Sequence, residues 1–506
     1  MEPTFRASMG WLHTWAGVVL GGLLFAIFWM GTLSVFDREI DLWMAPGMRQ
    51  VWPVTEISVD GLRPSLEEAA SAKASAWSVT FPSERQPVVR VTWRGGSRSV
   101  VHYLNPTTGE RLPDPGTWAG TRFLYPFHYM LHIRFQDIGI WVVGLAAMAM
   151  LALCVTGIVV HRRIFIDFFT LRSHRQSRRL ILDLHNVSGV LGLPFHIGIT
   201  LSGLIVFWFV YFPSSWQAAY PDRATFSSDA FGSYARASLN RPGTIASLDA
   251  MVAEARRLWG GEPPMLLSVR HPGDAAAYVS IFRSDDVRVT AADEAAYFDA
   301  ATGKLLHQRT AGRPVATVQR FISGMHLVRF RHWTLRWLYF ALGLSGCVLI
   351  ATGCLFWLES RRKKHAQLGL GGVRVVEVLS VGAITGIITA TLAFFVVNRL
   401  IPLGATFAGY DRAALEIWTF YLVWLATFIH AWLRPRHVWV EQCSALAGLA
   451  MAAVLLNWLT TGDHVLRSVS HRHLWAIAGM DLLLLAGGTV GGITVRHLHR
   501  RHLLHR

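Results

Sequence analysis

Eight stretches of this chain are apolar for about 20 residues each, and no other feature limits the choice of fold so severely. The hydrocarbon core of a bilayer is ~30 Å thick, and a backbone without water to bond must satisfy itself within a helix. The stretches run from about Leu12 to Phe36, Ile138 to Val160, Leu184 to Val210, Leu335 to Leu358, Val373 to Val397, Leu415 to Ala431, Ser444 to Leu459 and Leu474 to Val495. The first is too long for a cleaved leader and lacks a small-residue cleavage site behind it, so it is read as a span. Composition agrees: 52% hydrophobic residues, 16% charged residues and 21 Trp suit a protein bathed in lipid with aromatic side chains at both interfaces. Basic loops and anionic lipid account for the net charge of +16, which leaves nucleic acid without support as a partner.

Lys and Arg concentrate in RRIFIDFFTLRSHRQSRR after the second stretch, in Arg361 to Lys364, at Arg434 and Arg436, and in the tail RHLHRRHLLHR. The positive-inside bias makes these cytoplasmic, puts both termini inside, and sends the two long polar insertions outside, which is the periplasm in a cell with two membranes. The expected plan is a first helix (1–36), an outer module (37–125), a second helix with its approach (126–163), a basic loop (164–180) and a third helix (181–211). A second outer module (212–321), a fourth helix with its approach (322–360), a basic linker (361–372), four more helices (373–496) and a basic tail (497–506) follow. The fold class is an all-α polytopic bundle of about eight transmembrane helices carrying two small α+β modules.

Each insertion reads as a helix followed by strands. The first has PSLEEAASAKASAW, then SVTFPS, VVRVTW and SVVHYLN; the second has IASLDAMVAEARRLW, then MLLSVR, AAYVSIFR and AAYFD. YLNPTTGERL parallels YFDAATGKLL, which points to an internal duplication of helix, module and helix. The parallel extends into the spans. LHTWAG aligns with LHNVSG, setting His13 on His185, Gly17 on Gly189 and Gly31 on Gly203; Trp141 falls on Trp337 and Thr156-Gly157 on Thr352-Gly353. Upstream of the closing helices, MLHIRF matches MHLVRF after a small shift and brings His132 close to His326.

An ionisable side chain on a membrane helix is costly, so the histidines are where chemistry is expected. An imidazole lone pair suits haem iron, and b-type haem needs no attachment motif; C-x-x-C-H is absent. His13 and His185 lie about two turns inside the cytoplasmic edge, and His132 and His326 lie at the outer edge, so two haems at two depths are expected, with a third left open. His161 and His196 break the repeat, aligning with Trp357 and Leu24. His161 sits at a depth where it could replace His13 or His185, and His196, about 16 Å along the helix from His185, could serve an outer or central haem. Each could equally bond a haem propionate or a neighbouring helix. His128, one turn before His132, reads as a residue of the water interface, His332 as part of an interfacial anchor, and His102 and His307 as solvated.

The four cysteines, Cys154, Cys347, Cys354 and Cys443, lie in apolar runs without C-x-x-C spacing, which argues against a disulfide framework or a thiolate metal site. No P-loop, H-E-x-x-H, G-x-S-x-G or dinucleotide fingerprint is present.

With LHTWAG and Gly31, MLHIRF and the TG of LCVTGIVVHRR, LHNVSGVLGLPFH and Gly203, MHLVRF and IATGCLFW, and modules ending NPTTGE and DAATGK, the chain resembles the PepSY-associated transmembrane helix family over roughly residues 8 to 362. That family includes inner-membrane ferric-siderophore reductases and other iron-regulated membrane proteins. The resemblance implies a haem-bearing reductase that delivers electrons from a cytoplasmic reductase or quinol to a periplasmic ferric siderophore or other ferric chelate, releasing Fe(II). It carries His13, His132, His185 and His326 over as ligands, with His161 and His196 in similar contexts. The chain departs from the family's short form by four helices after residue 372. Two rivals stand beside this reading: a non-redox protein whose modules bind or restrain an envelope peptidase or partner, and a quinol-linked cytochrome with a non-iron acceptor.

Overall fold

The computed structural model describes residues 4–50, 57–62, 68, 74–95, 98–161, 177–291, 294–310, 314–368 and 371–504. The chain divides into two units: Met1–Pro46, Gly116–Leu204 and Thr334–Arg506 form one, and Gly47–Pro115 with Ile205–Trp333 forms the other.

The first unit is helical. Among the described residues eight helices are long and apolar enough to cross a membrane: Phe5–Ser34, Phe135–Val160, Arg178–Val206, Trp333–Arg362, Gly372–Leu400, Arg412–Leu433, Val438–Thr461 and Arg472–Arg500. They coincide with the eight apolar stretches, and the chain is a multi-pass membrane protein. The elements used below are α1 (Phe5–Ser34), α2 (Asp37–Met44), α3 (Tyr125–Met130), α4 (Ile138–Val160), α5 (Ser177–Val206), α6 (Trp333–Gln367), α7 (Gly372–Val381), α8 (Ile387–Leu400), α9 (Arg412–Leu433), α10 (Val438–Thr461) and α11 (Trp475–Leu504). Thr4 caps α1 by accepting from the Ala7 amide. Pro194 inside α5 removes one backbone bond, which membrane helices tolerate because neighbours and side chains satisfy the freed group.

The helices after residue 372 pack onto the opening ones. Trp29 of α1 donates to Thr391 of α8 (3.1 Å), and Trp43 of α2 donates to Asp481 of α11 (2.8 Å). Between α7 and α8 the chain makes a π turn over Gly382–Gly386 that runs hard against α9: a Cβ on Gly382 would lie 2.3 Å from the Phe428 ring, and Trp424 donates to the Gly382 carbonyl (2.8 Å). Several charged groups buried in this unit are paired. Arg336 of α6 meets Glu39 of α2 at 2.6 Å and lies over the Phe36 ring; Glu416 of α9 accepts from Thr117 and Asn398 and faces Arg412.

The second unit is built on one antiparallel sheet of strands β1 (Ala76–Thr80), β2 (Val89–Gly95), β3 (Arg98–Leu104), β4 (Arg111–Leu112), β5 (Pro264–Arg270), β6 (Tyr278–Arg283), β7 (Ala295–Asp299) and β8 (Leu305–Arg309), in the order β4-β3-β2-β1-β5-β6-β7-β8. The sequence reading makes each insertion a module of its own. Instead, β1 and β5, each the first strand of its insertion, pair along their length (Trp77 with Val269, Val79 with Leu267), so neither has an open edge there. Alternate residues, among them Trp77, Val79, Val91, Val269 and Val279, bury one face together with Leu248, Met251 and Ala255 of helix Leu248–Leu258. The modules' expected ends also shift: residues 37–46 and 116–125 belong to the helical unit. The expected helix PSLEEAASAKASAW and the basic loop after α4 lie largely outside the described residues. The two similar turns close alike: Asn105 Oδ1 accepts from the amides of Thr107 and Thr108 before Gly109 at φ +71°, and Asp299 Oδ1 from those of Ala301 and Thr302 before Gly303 at φ +72°.

Candidate functional site

A cavity of about 420 Å³ runs between α1, α4, α5 and α6, within the size range of small-molecule and cofactor sites. Its lining includes His13 and Gly17 of α1, Gly157 of α4, His185 and Gly189 of α5, and Gly353 of α6. Glycine matters here because imidazoles occupy the space. A Cβ on Gly157 would come within 3.4 Å of His13 Cε1, and one on Gly353 within 3.1 Å of His185 Cε1.

The two histidines are held in the same way. His13 Nδ1 donates to the Leu153 carbonyl (3.1 Å) beside Thr156, whose hydroxyl proton goes to Ala152; His185 Nδ1 donates to the Leu349 carbonyl (2.9 Å), and Thr352 donates to Val348. A carbonyl can only accept, so the proton sits on Nδ1 and Nε2 keeps its lone pair. Metal-ligating histidines are characteristically prepared in this fashion. Their ring centroids are 6.4 Å apart with planes at 82°. Two imidazoles on opposite sides of one metal, each through a bond of about 2 Å, place their centroids roughly 6 Å apart. Among the described residues no group of three or more His, Cys, Asp or Glu could hold a bare ion. A planar tetrapyrrole, which brings four ligands of its own, would need only such a pair of imidazoles from the chain.

The other histidines separate by environment. His161 follows the last turn of α4 and lines the same cavity. His196 lines its apolar part, is 0% exposed, and neither ring nitrogen makes a well-formed hydrogen bond, a weak approach to the Leu342 carbonyl aside. Its ring fills the room left by Gly192 and Gly346, where a Cβ would come within 2.3 Å of Cε1 and 3.3 Å of Nε2, and it meets Phe28 edge-on.

His132 departs from the expectation. Its Nε2 donates to the Phe123 carbonyl (2.7 Å) and its Nδ1 accepts from Tyr421 (2.7 Å), so in this arrangement no lone pair is left for a metal. Residues Leu131 and His132 are both at positive φ, which turns the side chain away from α1 and toward α9. His128 of α3, read from sequence as an interfacial residue, takes the position beside α1. It donates through Nδ1 to the Ile27 carbonyl (2.9 Å) and sits where a Cβ on Gly31 would come within 2.6 Å of Cε1. The signal was present: FLYPFHYM over FISGMHLV aligns Phe123 with Phe321 and His128 with His326 without any shift. His326 lies in the last turn of helix Pro314–Leu327 of the sheet unit. His102 is not solvated but buried, edge-on to Trp93, and burial followed by the nearby Arg111 holds its pKa below the usual value. His307 is exposed and stacks on Tyr234. The four cysteines are free and buried.

Two comparisons with known proteins bear on this site. The family model described as the PepSY-associated TM region matches residues 10–360, a stretch that contains every residue of the cavity except Arg361 and stops short of α7. An uncharacterized protein of Pseudomonas aeruginosa is 28% identical over 359 residues, covering 67% of this chain and 88% of that relative.

Proposed function

The chain belongs to the PepSY-associated TM family, and on that premise we propose that it is a haem b reductase of the bacterial inner membrane that passes electrons outward to a ferric siderophore or other ferric chelate. The observation that carries the proposal is the pair His13 and His185, each with Nδ1 bonded to a helix carbonyl and the rings 6.4 Å apart across an apolar cavity. When bound, haem supplies a one-electron centre inside the hydrocarbon, where a charged carrier would otherwise face a prohibitive solvation cost. The chain's own residues do the rest. The Leu153 and Leu349 carbonyls fix the tautomer of the two ligands, Gly157 and Gly353 let the rings lie against their helices, and the apolar lining excludes water.

His128 and His196 are the further ligand candidates of the helical unit, and His326 remains one on sequence grounds. His128 takes the role expected of His132. The basic segments of the helical unit face the cytoplasm in this reading, where a soluble reductase or quinol donates, and the acceptor is on the other side. One-electron reduction of Fe(III) to Fe(II) weakens its hold on hard oxygen ligands and frees it for uptake.

The test is haem content per polypeptide, by pyridine haemochrome, in purified protein and four variants. His13→Ala and His185→Ala are expected to lose the same haem, His128→Ala to lower the count, and His132→Ala to leave it unchanged. A colourless wild-type protein from haem-replete cells refutes the reading and favours a non-redox role for the modules. Activity is then followed with chelated Fe(III) against copper and sulfur acceptors.

A further inference from the structure

We propose that Arg361 and His161 form the anion-binding end of the cavity and take the two carboxylates of the tetrapyrrole held by His13 and His185. The inference rests on the haem reading above and extends it to how the group is oriented and retained.

The cavity is strongly polarised along its length. The part reached by His196 is walled by Leu24, Leu193 and Ile350, whereas the other end is lined by Asn186, His161 and Arg361. Among the described residues, Arg361 is the one charged side chain of the lining and no carboxylate is part of it. The guanidinium is fixed rather than free: it stacks over the Trp357 ring with 4.8 Å to the centroid, and its Nη1 reaches Ser360 Oγ at 3.4 Å. Among the described residues no Asp or Glu lies within ion-pair distance of Arg361 or His161. This sets Arg361 apart from Arg362, which is bound to Glu377. A preorganised guanidinium without an acidic partner, at the mouth of an otherwise apolar slot, is complementary to a flat apolar body ending in carboxylates. Protoporphyrin has that form. A fatty acid or phospholipid headgroup offers similar anionic chemistry, so the test separates the two sources.

The purified protein is stripped and reconstituted with haem b or with its dimethyl ester, which lacks the carboxylates. Dissociation is followed by transfer to apomyoglobin, and the midpoint potential is measured in parallel. Arg361→Gln and His161→Gln are expected to keep the low-spin spectrum of the bis-imidazole site but to release haem b faster, by roughly tenfold or more for the loss of a charge-assisted contact. The potential should fall as cationic charge is removed. The ester should leave wild-type protein at least as fast as haem b leaves Arg361→Gln, and Arg361→Lys should restore much of the retention. The ester arm uses wild-type protein and stands even if a variant fails to fold. Equal release of haem b and ester from wild type, with unchanged rates and potentials in the variants, overturns this assignment while leaving the haem reading intact. If fatty acid or anionic lipid competes with the ester as strongly as with haem b, the cationic end serves lipid and the assignment is likewise overturned. A wild-type protein that takes up no haem overturns both.

Discussion

Gly31→Ala is a direct probe of how α3 is seated on α1. The added Cβ would stand 2.6 Å from His128 Cε1 and 2.7 Å from Nδ1, whereas carbon atoms settle at about 3.5 Å or more, so the ring must retreat by about 1 Å. A displacement of that size breaks the 2.9 Å bond from Nδ1 to the Ile27 carbonyl. The lost bond costs about 1 kcal/mol and the forced repacking about 1–3 kcal/mol, while replacing glycine within a helix returns up to about 1 kcal/mol; the net is about 1–3 kcal/mol of destabilisation. Gly157→Ala is the control, because its Cβ would meet His13 Cε1 at 3.4 Å, and it should lie within about 1 kcal/mol of wild type. Unfolding in detergent followed by tryptophan fluorescence gives both values. In a His128→Ala background the obstruction is gone, and Gly31→Ala should then be neutral or stabilising. Equal destabilisation with and without the imidazole, or a Gly31→Ala variant as mild as Gly157→Ala, would refute the reasoning.

Three further outcomes are expected. Arg336→Met leaves buried Glu39 without its 2.6 Å cation and should destabilise by about 3 kcal/mol or more, with most of the loss recovered in Glu39→Gln/Arg336→Met; an unchanged unfolding midpoint in the single variant counts against the pair. The Asp41 carboxyl is pushed up to about 7 by burial, against hydrogen bonds from Thr121 and Gly120. Its folded value lies above its unfolded one, so its contribution to stability is present in acid and lost as pH rises from about 4 toward 7. The wild-type melting temperature should fall between pH 5 and 8 more steeply than that of Asp41→Asn, and parallel curves would contradict the assignment. Val79→Pro removes a ladder bond in a central strand and leaves a buried carbonyl unpaired, at a cost of about 1–3 kcal/mol. Limited proteolysis should then cut both insertions together, whereas cleavage confined to residues 47–115 would mean that they fold separately.

The spans were legible because hydropathy is local: each helix carries its own solvation signal, and the boundaries differ from the sequence reading mainly where polar residues extend a helix beyond the hydrocarbon, as in α1 and α6. The meeting of His13 and His185 at one cavity was legible for a similar reason, since they stand at matched positions of two stretches that otherwise avoid charge. Two features were not. The pairing of β1 with β5 depends on edges far apart in sequence, and each insertion carried enough strands to pass for a separate module. His132 was preferred over His128 because it sits in the more conspicuous match. What occupies its ring in the structure depends on a pair of residues at positive φ and a tyrosine on a helix nearly 300 residues later, neither of which alternation or spacing can reveal. The buried pairings of the last four helices, such as Trp43 with Asp481, were hidden for the same reason.

The shared sheet also governs the order in which the protein can be completed. Ser78 of β1 faces Ser268 of β5 across 190 residues of chain. At about 5–20 residues per second a ribosome needs roughly ten to forty seconds to supply that partner. During this interval β1 is a strand with one side unclaimed, open to wrong pairings and to neighbouring nascent chains. Biogenesis therefore has a waiting step written into its topology, and the yield of finished protein depends on whatever shields that strand until its mate emerges.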